Sequence, residues 1–185
     1  RGLPLGSIVQ GGASKKKGTL IRFKPDEEIF GVGAAFKPAR LFRMARSKAY
    51  LFRGVEIRWT CAAERITDQT PTEALFHFPN GLADALAERI GAMETVTPTF
   101  AGRMEKKGEA GAVEWAVTWS PIGFGEADGF VQSYCNTVST PDGGTHEAGF
   151  RAALVKGLKA YGELAGEKRA GVITAEDVIA NAGAL

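Results

Sequence analysis

The chain is poor in the residues that most often build metal and redox sites. It has two cysteines, Cys61 and Cys135, and two histidines, His77 and His146, and none of them has metal-ligand spacing. We therefore expect no metal site, and we interpret the thiols as reduced and buried, as in a cytoplasmic protein. No apolar run approaches the roughly 20 residues that span a bilayer, which argues against a membrane protein.

Strong charge is also lacking. The formal net charge is +2 over 185 residues, which by itself does not indicate a nucleic-acid partner. The apolar share of 44% is typical of a folded globular protein and excludes a disordered composition.

Hydrophobic periodicity predicts an α+β fold with a mostly antiparallel sheet covered on one face. Strands are predicted at residues 19–23, 55–59, 74–78, 99–105, 113–119 and 130–136. Helices are predicted from Pro38 onward, at 82–90 with Asn80 as N-cap, at 147–164 with Phe150, Leu154, Leu158 and Tyr161 on the core face, and after a Thr174–Asp177 capping pair. The small residues at 31–35 predict a domain boundary.

A distinctive loop precedes the long helix, and residues 143–151 read Gly-Gly-Thr-His-Glu-Ala-Gly-Phe-Arg. Paired glycines allow backbone angles closed to other residues, so a tight turn is predicted, with Thr145 and His146 capping the helix. An anion-binding nest at the helix N-terminus is the less favoured alternative. A nucleophile–base pair of Cys135 and His146 is weakly supported, because no third partner or oxyanion motif accompanies it.

This loop, together with the basic run Arg40-Leu41-Phe42-Arg43-Met44-Ala45-Arg46 and its continuation to Ile57, resembles the B subunits of bacterial type IIA topoisomerases. The topoisomerase IV branch is the better match, although the gyrase branch shares both signatures. The resemblance implies that residues 1–35 form the C-terminal end of a GHKL-type ATPase domain. It implies that residues 36–185 form a truncated transducer domain with a ribosomal-protein-like βαβ fold and a left-handed crossover.

Activity and partners follow from the resemblance as expectations. Members of the family use ATP and Mg²⁺, carry one double-stranded DNA through another, and act in the cytoplasm as a homodimer of B subunits within a heterotetramer with the A subunit. Gly18 and Thr19 would lie at the adenine ring, and Arg151 and Lys156 would contact the duplex, with Lys159 extending their stripe. The family's catalytic glutamate, its magnesium-binding asparagine and its γ-phosphate ligands would lie beyond this chain, so no catalytic or metal-binding residue is expected within it.

Ordinary structural roles compete with these assignments. Thr19 is also a typical strand residue, and Arg151 is also a typical solvated helix arginine. A stand-alone nucleic-acid-binding βαβ module would have a similar element order, but the small net charge argues against it. A metabolic ATPase or kinase of the same superfamily is a further alternative.

Overall fold

The chain divides into two units, Arg1–Phe36 and Lys37–Leu185. The computed structural model describes residues 3–105, 108, 111–124 and 129–185. Residues 1–2 of the first predicted domain, and 106–107, 109–110 and 125–128 of the second, lie outside the described residues.

The described part of the first unit is mostly irregular chain with one short helix, α1 (Glu27–Phe30), whose N-cap Asp26 accepts a hydrogen bond from the amide of Glu28. The prediction of a strand at residues 19–23 is wrong for this structure. That segment is exposed and carries no strand pairing. A lone strand has no ladder to satisfy its backbone, and the described part of this unit offers no second strand.

The second unit contains the predicted helices and strands in the predicted order, together with two strands that the periodicity does not predict, Val138–Ser139 and Ala182–Ala184. Its elements are α2 (Pro38–Leu51), β1 (Glu56–Thr60), a 3₁₀ turn (Ala63–Arg65), β2 (Glu73–His77), α3 (Leu82–Ile90), β3 (Phe100–Glu105), β4 (Ala112–Trp119), β5 (Phe130–Val131), β6 (Tyr134–Cys135), β7 (Val138–Ser139), α4 (Thr145–Leu164), a 3₁₀ turn (Ala170–Val172), α5 (Ala175–Ile179) and β8 (Ala182–Ala184). Thr174 and Asp177 form the predicted capping box of α5.

Three small sheets confirm the predicted α+β class with mostly antiparallel pairing. The strand pair β1–β2 is antiparallel, a four-stranded sheet has the order β3-β4-β8-β5, and β6 and β7 form a hairpin. Only the β5–β8 pair is parallel among these ladders. The single strand predicted at residues 130–136 is broken in two, because β5 pairs with β8 whereas β6 turns back to pair with β7.

Strand β4 lies between two apolar clusters. Ala116 is buried in a cluster with residues of α2, β2 and α3, among them the fully buried Leu86. The next residue, Val117, is buried in a second cluster with Leu154 of α4 and Val178 of α5. Successive strand residues point to opposite faces, so β4 is covered on both sides by helices. The prediction of a sheet covered on one face is therefore wrong at this strand, because α4 and α5 pack opposite α2 and α3.

Two local predictions about the helices are corrected. The N-cap of α3 is Gly81, and Asn80 instead donates from its backbone and side-chain amides to the carboxylate of Asp84. On α4, Leu154 is buried but Leu158 is 37% exposed and Tyr161 is 70% exposed. The C-terminal half of α4 therefore contributes less to the core than its spacing predicts.

Candidate functional site

The segment between β6 and α4 contains β7, and a two-residue hairpin turn joins β6 to β7. Asn136 and Thr137 have φ values of 47° and 67°, which is the pattern of a type I′ turn. A β-branched residue rarely adopts a positive φ. Lys48 of α2 donates from Nζ to the carbonyl (2.8 Å) and the hydroxyl (2.6 Å) of Thr137, and so ties this turn to α2.

The glycine pair makes the turn into α4 as the sequence predicts, but the capping differs. Gly144 is the N-cap with φ 151°, and the helix begins at Thr145, without a side-chain capping bond. His146 lies in the first turn, where its Nε2 hydrogen-bonds with the hydroxyl of Thr140 at 3.1 Å. The predicted capping by Thr145 and His146 is therefore wrong. A glycine at the N-cap leaves no side chain to do that work.

Glu147 is the centre of a hydrogen-bond network, which we call the Glu147 network. Its Oε1 accepts from Nε (3.1 Å) and Nη2 (2.7 Å) of Arg151 one turn later, and its Oε2 accepts from the hydroxyl of Ser133 at 2.9 Å. Ser133 also hydrogen-bonds with the Thr140 hydroxyl at 2.8 Å, which links the network to His146. The Arg151 hydrogen bond is the main reason that the pKa of Glu147 lies below its usual value.

Arg151 is thus held rather than projected into solvent. Its side chain is 34% exposed and that of Glu147 is 16% exposed. The contact of Arg151 with DNA is not tested by this geometry and stays a prediction. Lys156, the second predicted contact, is exposed further along α4, beside the half-buried Lys159 in a shallow apolar depression that also includes Val155 and Ala175.

The predicted adenine contact lies in the first unit. Gly18 has φ 142°, and both Gly18 and Thr19 are exposed and lie outside any helix or strand. A Cβ placed on Gly18 would meet no atom within 4 Å, so no described residue packs against that position. The role of Gly18 and Thr19 at an adenine ring stays a prediction.

Other chemistry finds little support in the described part of the chain. Cys135 is exposed, and Cys61 is partly exposed rather than buried. His146 is engaged with Thr140, not with a thiol. No group of three or more His, Cys, Asp or Glu side chains among the described residues could share a metal ion. Across the same ranges, no helix is long and apolar enough to cross a membrane.

Sequence reasoning missed a polar cluster where α2, α3 and the β5–β6 segment meet. The hydroxyls of Tyr50 and Tyr134 hydrogen-bond with each other, and burial raises the pKa of Tyr134. Arg89 donates from Nη1 to Oε1 of Gln132 at 2.8 Å and lies over the ring of Phe130. The only sequence signal here was the arginine spacing of α2, because these partners are far apart in the chain.

Comparisons with known proteins agree with one another. A family model described as DNA gyrase B matches residues 81–185. The chain is 73% identical over its whole length to the B subunit of DNA topoisomerase 4 from Caulobacter vibrioides, of which it covers 27%. The curated relatives that it matches are about four times its length, since it spans about a quarter of each.

Two solved structures are similar in fold. The B-subunit of the DNA gyrase from Myxococcus xanthus is 25% identical with a TM-score of 0.64, and the match covers 86% of this chain and 42% of that one. The 43K ATPase domain of Thermus thermophilus gyrase B, solved in complex with an aminocoumarin, is 26% identical with a TM-score of 0.61. That match covers 88% of this chain and 42% of the other.

Proposed function

The chain belongs to the DNA gyrase B family, and from that premise we propose that it is part of the ATPase subunit of a bacterial topoisomerase IV. In this proposal the whole subunit couples ATP binding and hydrolysis to the passage of one DNA duplex through another, giving decatenation and relaxation. The observation that carries the proposal is the 73% identity, over the whole chain, to the B subunit of a DNA topoisomerase 4.

We assign the coupling role, not the chemistry, to these residues. Residues 1–35 would belong to the end of the ATPase domain and residues 36–185 to the transducer domain. The described residues do not fit an ATP–Mg²⁺ site of their own, since Gly18 and Thr19 are exposed and no acidic cluster could hold a metal. Thr19 would at most supply one hydroxyl to an adenine pocket completed by other parts of the subunit.

Two side-chain links support a coupling role for the second unit. Lys48 connects α2, the helix that follows the first unit, to the β6–β7 turn. The Glu147 network connects the segment around that hairpin to Arg151 on α4. A movement of α2 would therefore be transmitted to the start of α4 through a continuous set of side-chain hydrogen bonds. Such a physical connection is what a two-state coupling element uses.

Arg151 and Lys156 are the proposed contacts to the transported duplex. Such contacts would be to phosphates, independent of sequence and weakened by salt. The partners of the whole protein would be a second B subunit and the A subunit of topoisomerase IV, in a cytoplasmic heterotetramer.

The B subunit of DNA gyrase is the second candidate, because the family model is described as DNA gyrase B and both structural neighbours are gyrase B chains. It is the weaker candidate, because the gyrase structures are 25% and 26% identical to this chain whereas the Caulobacter relative is 73% identical.

The test uses the complete protein that carries this chain, mixed with its A subunit, ATP and Mg²⁺. Decatenation of linked circles and supercoiling of a relaxed circle are measured side by side. Decatenation without supercoiling is expected, and supercoiling would favour the gyrase alternative. ATP hydrolysis without either DNA reaction would refute the proposed function. A heat-inactivated B subunit serves as the control for activity of the A subunit preparation.

A further inference from the structure

A groove of about 740 Å³ in the second unit lies between α2, α3 and the β5–β7 segment. Its lining includes five cationic side chains and, among the residues that the structure describes, no aspartate or glutamate. The cations are Arg40, Arg43, Arg46, Lys48 and Arg89. We propose that this surface, which we call the basic groove, binds the phosphodiester backbone of a DNA duplex.

The hydrogen bonds of the basic groove position its charges without cancelling most of them. Among the residues that the structure describes, Lys48 donates to neutral acceptors alone, the carbonyl and hydroxyl of Thr137. Arg46 has a carboxylate partner, Glu88, at 3.1 Å, but both side chains of this pair are more than a third exposed. An exposed pair of this kind is weak and is readily exchanged for a phosphate.

Like Lys48, Arg89 is held by neutral groups. It donates to the neutral amide oxygen of Gln132 at 2.8 Å, and its guanidinium carbon lies 3.6 Å from the centroid of the Phe130 ring. Burial is the main cause that lowers the pKa of Arg89, and the positive charge of Arg46 acts in the same direction. An arginine stays charged under such a shift, so Arg89 adds a pre-oriented, uncompensated cation.

Arg40 and Arg43 are the most accessible cations of the groove. Both are exposed on α2, and neither forms a salt bridge within the described ranges. With Arg46 they recur every three residues, which spreads three guanidinium groups over about 9 Å of helix axis. A DNA duplex carries one negative charge per roughly 1.7 Å, so a single duplex presents several phosphates across that span. A small anion would meet only one or two of these cations.

The basic groove is distinct from the Arg151 surface, because Arg151 is not among its lining residues. The whole chain carries a net charge of only +2, so five cations in a lining without aspartate or glutamate represent a strong local concentration of charge. Two exposed carboxylates lie near these cations but outside the lining: Glu88 beside Arg46, and Asp68, whose pKa is lowered mainly by side-chain hydrogen bonding and further by the charge of Arg43. The lining presents cations, for which the phosphates are the matching groups of a duplex, so we expect contacts to phosphates without sequence preference. This inference rests on the proposed function, since it assigns a second duplex contact to the same DNA-handling protein.

The test measures the salt dependence of DNA binding by the complete B subunit without nucleotide. Anisotropy of a fluorescent duplex of random sequence gives the slope of log K against log salt concentration. We expect Arg40→Gln/Arg43→Gln to bind more weakly and to reduce the size of that slope by about 2, or about 0.9 for each lost phosphate contact. Glutamine retains helix propensity, and both side chains are exposed, so α2 should remain folded.

Two matched variants complete the design. Lys168→Gln/Arg169→Gln removes the same two charges from exposed positions outside the groove and should leave the slope unchanged. Arg40→Lys/Arg43→Lys keeps the charges and should restore the slope, because lysine binds phosphate as a point charge.

Equal slopes for wild type and Arg40→Gln/Arg43→Gln would overturn the inference. An equal reduction of the slope in the Lys168→Gln/Arg169→Gln control would also overturn it. So would a reduced slope of Arg40→Gln/Arg43→Gln with duplex RNA but not with duplex DNA. If the wild-type protein carries out decatenation while Arg40→Gln/Arg43→Gln keeps the full slope, the basic groove alone is refuted. If the wild-type protein hydrolyses ATP but shows no DNA reaction with its A subunit, the proposed function itself fails.

Discussion

Replacing Glu147 with glutamine tests the Glu147 network. The substitution keeps the shape of the side chain but removes the charge that accepts two hydrogen bonds from Arg151. The amide oxygen can still serve one of the two donors, Arg151 or Ser133, whereas the amide nitrogen would face the other donor. Arg151, which is 34% exposed, would then lack its counter-ion and keep a guanidinium only partly hydrated.

The expected cost is intermediate between an exposed and a buried ion pair. Hydrogen bonds to a charged group contribute about 1.5–3 kcal/mol, and exposed pairs contribute at most about 1 kcal/mol. Since Glu147 is 16% exposed and Arg151 about a third, we expect Glu147→Gln to lower the free energy of unfolding by about 1–2 kcal/mol. For a domain of this size that corresponds to a fall in Tm of roughly 2–8 °C.

The pH dependence gives the sharper test. The pKa of Glu147 is lowered in the folded state, so its ionised form contributes stability above the unfolded pKa, and that contribution is lost as the pH falls through the folded pKa. Urea denaturation of wild type and Glu147→Gln should differ near neutral pH and converge in acid, as the pH falls below the lowered folded pKa. A difference that persists unchanged in acid, or no difference near neutral pH, would refute this reasoning. Arg151→Gln and the double variant complete a double-mutant cycle that isolates the pair.

Other predictions concern the packing and the helix ends, each read out by urea denaturation unless stated. Leu86→Ala, at a fully buried position, should cost about 2–5 kcal/mol, and a loss below 1 kcal/mol would contradict the assigned core. Thr174→Ala removes one side of the α5 capping box and should cost about 1 kcal/mol; an unchanged midpoint would refute that role. Within α4, Gly149→Ala should stabilise by up to about 1 kcal/mol because its Cβ would meet open space. Gly162→Ala should destabilise, because its Cβ would lie 2.5 Å from another Cβ, and equal effects at the two glycines would contradict the structure. Backbone amides of residues 19–23 should exchange rapidly with solvent, since they carry no strand pairing, and strong protection there would contradict the irregular chain of the first unit.

Much of the fold follows from local pattern. Alternation at residues 113–119 predicts β4, and the polar–apolar spacing at residues 82–90 predicts α3 with the bounds that the structure shows. The Thr174–Asp177 pair predicts the start of α5 for the same reason, because a capping box is a contact between residues three apart. Such features depend on interactions that a short window of sequence contains.

Predictions fail where the partner of a segment lies elsewhere. Residues 19–23 alternate like a strand, yet a strand forms only against another strand. Residues 130–136 read as one strand but divide between two partners, β8 and β7. The exposure of Tyr161 likewise depends on what α4 packs against, which helical spacing does not specify.

The candidate site shows the same division. The glycine turn before α4 and the three arginines of α2 are legible in the sequence, because backbone freedom and helical spacing are local properties. The residues that contact these features across the fold cannot be read from the sequence. Lys48 meets Thr137 from 89 residues away, and Arg89 meets Gln132 from 43 residues away.

The sequence by itself therefore determined the type and order of most elements in the second unit, and it carried the family signature. The Glu147–Arg151 pair is also local, because the two residues lie four apart on one helix. The tertiary structure alone decided that Ser133 joins this pair, and that cations from α2 and α3 share one groove. The physical reason is that charge and hydrogen bonding act over a few ångströms of space. Their strength is set by which side chains folding brings together and by how much water remains between them.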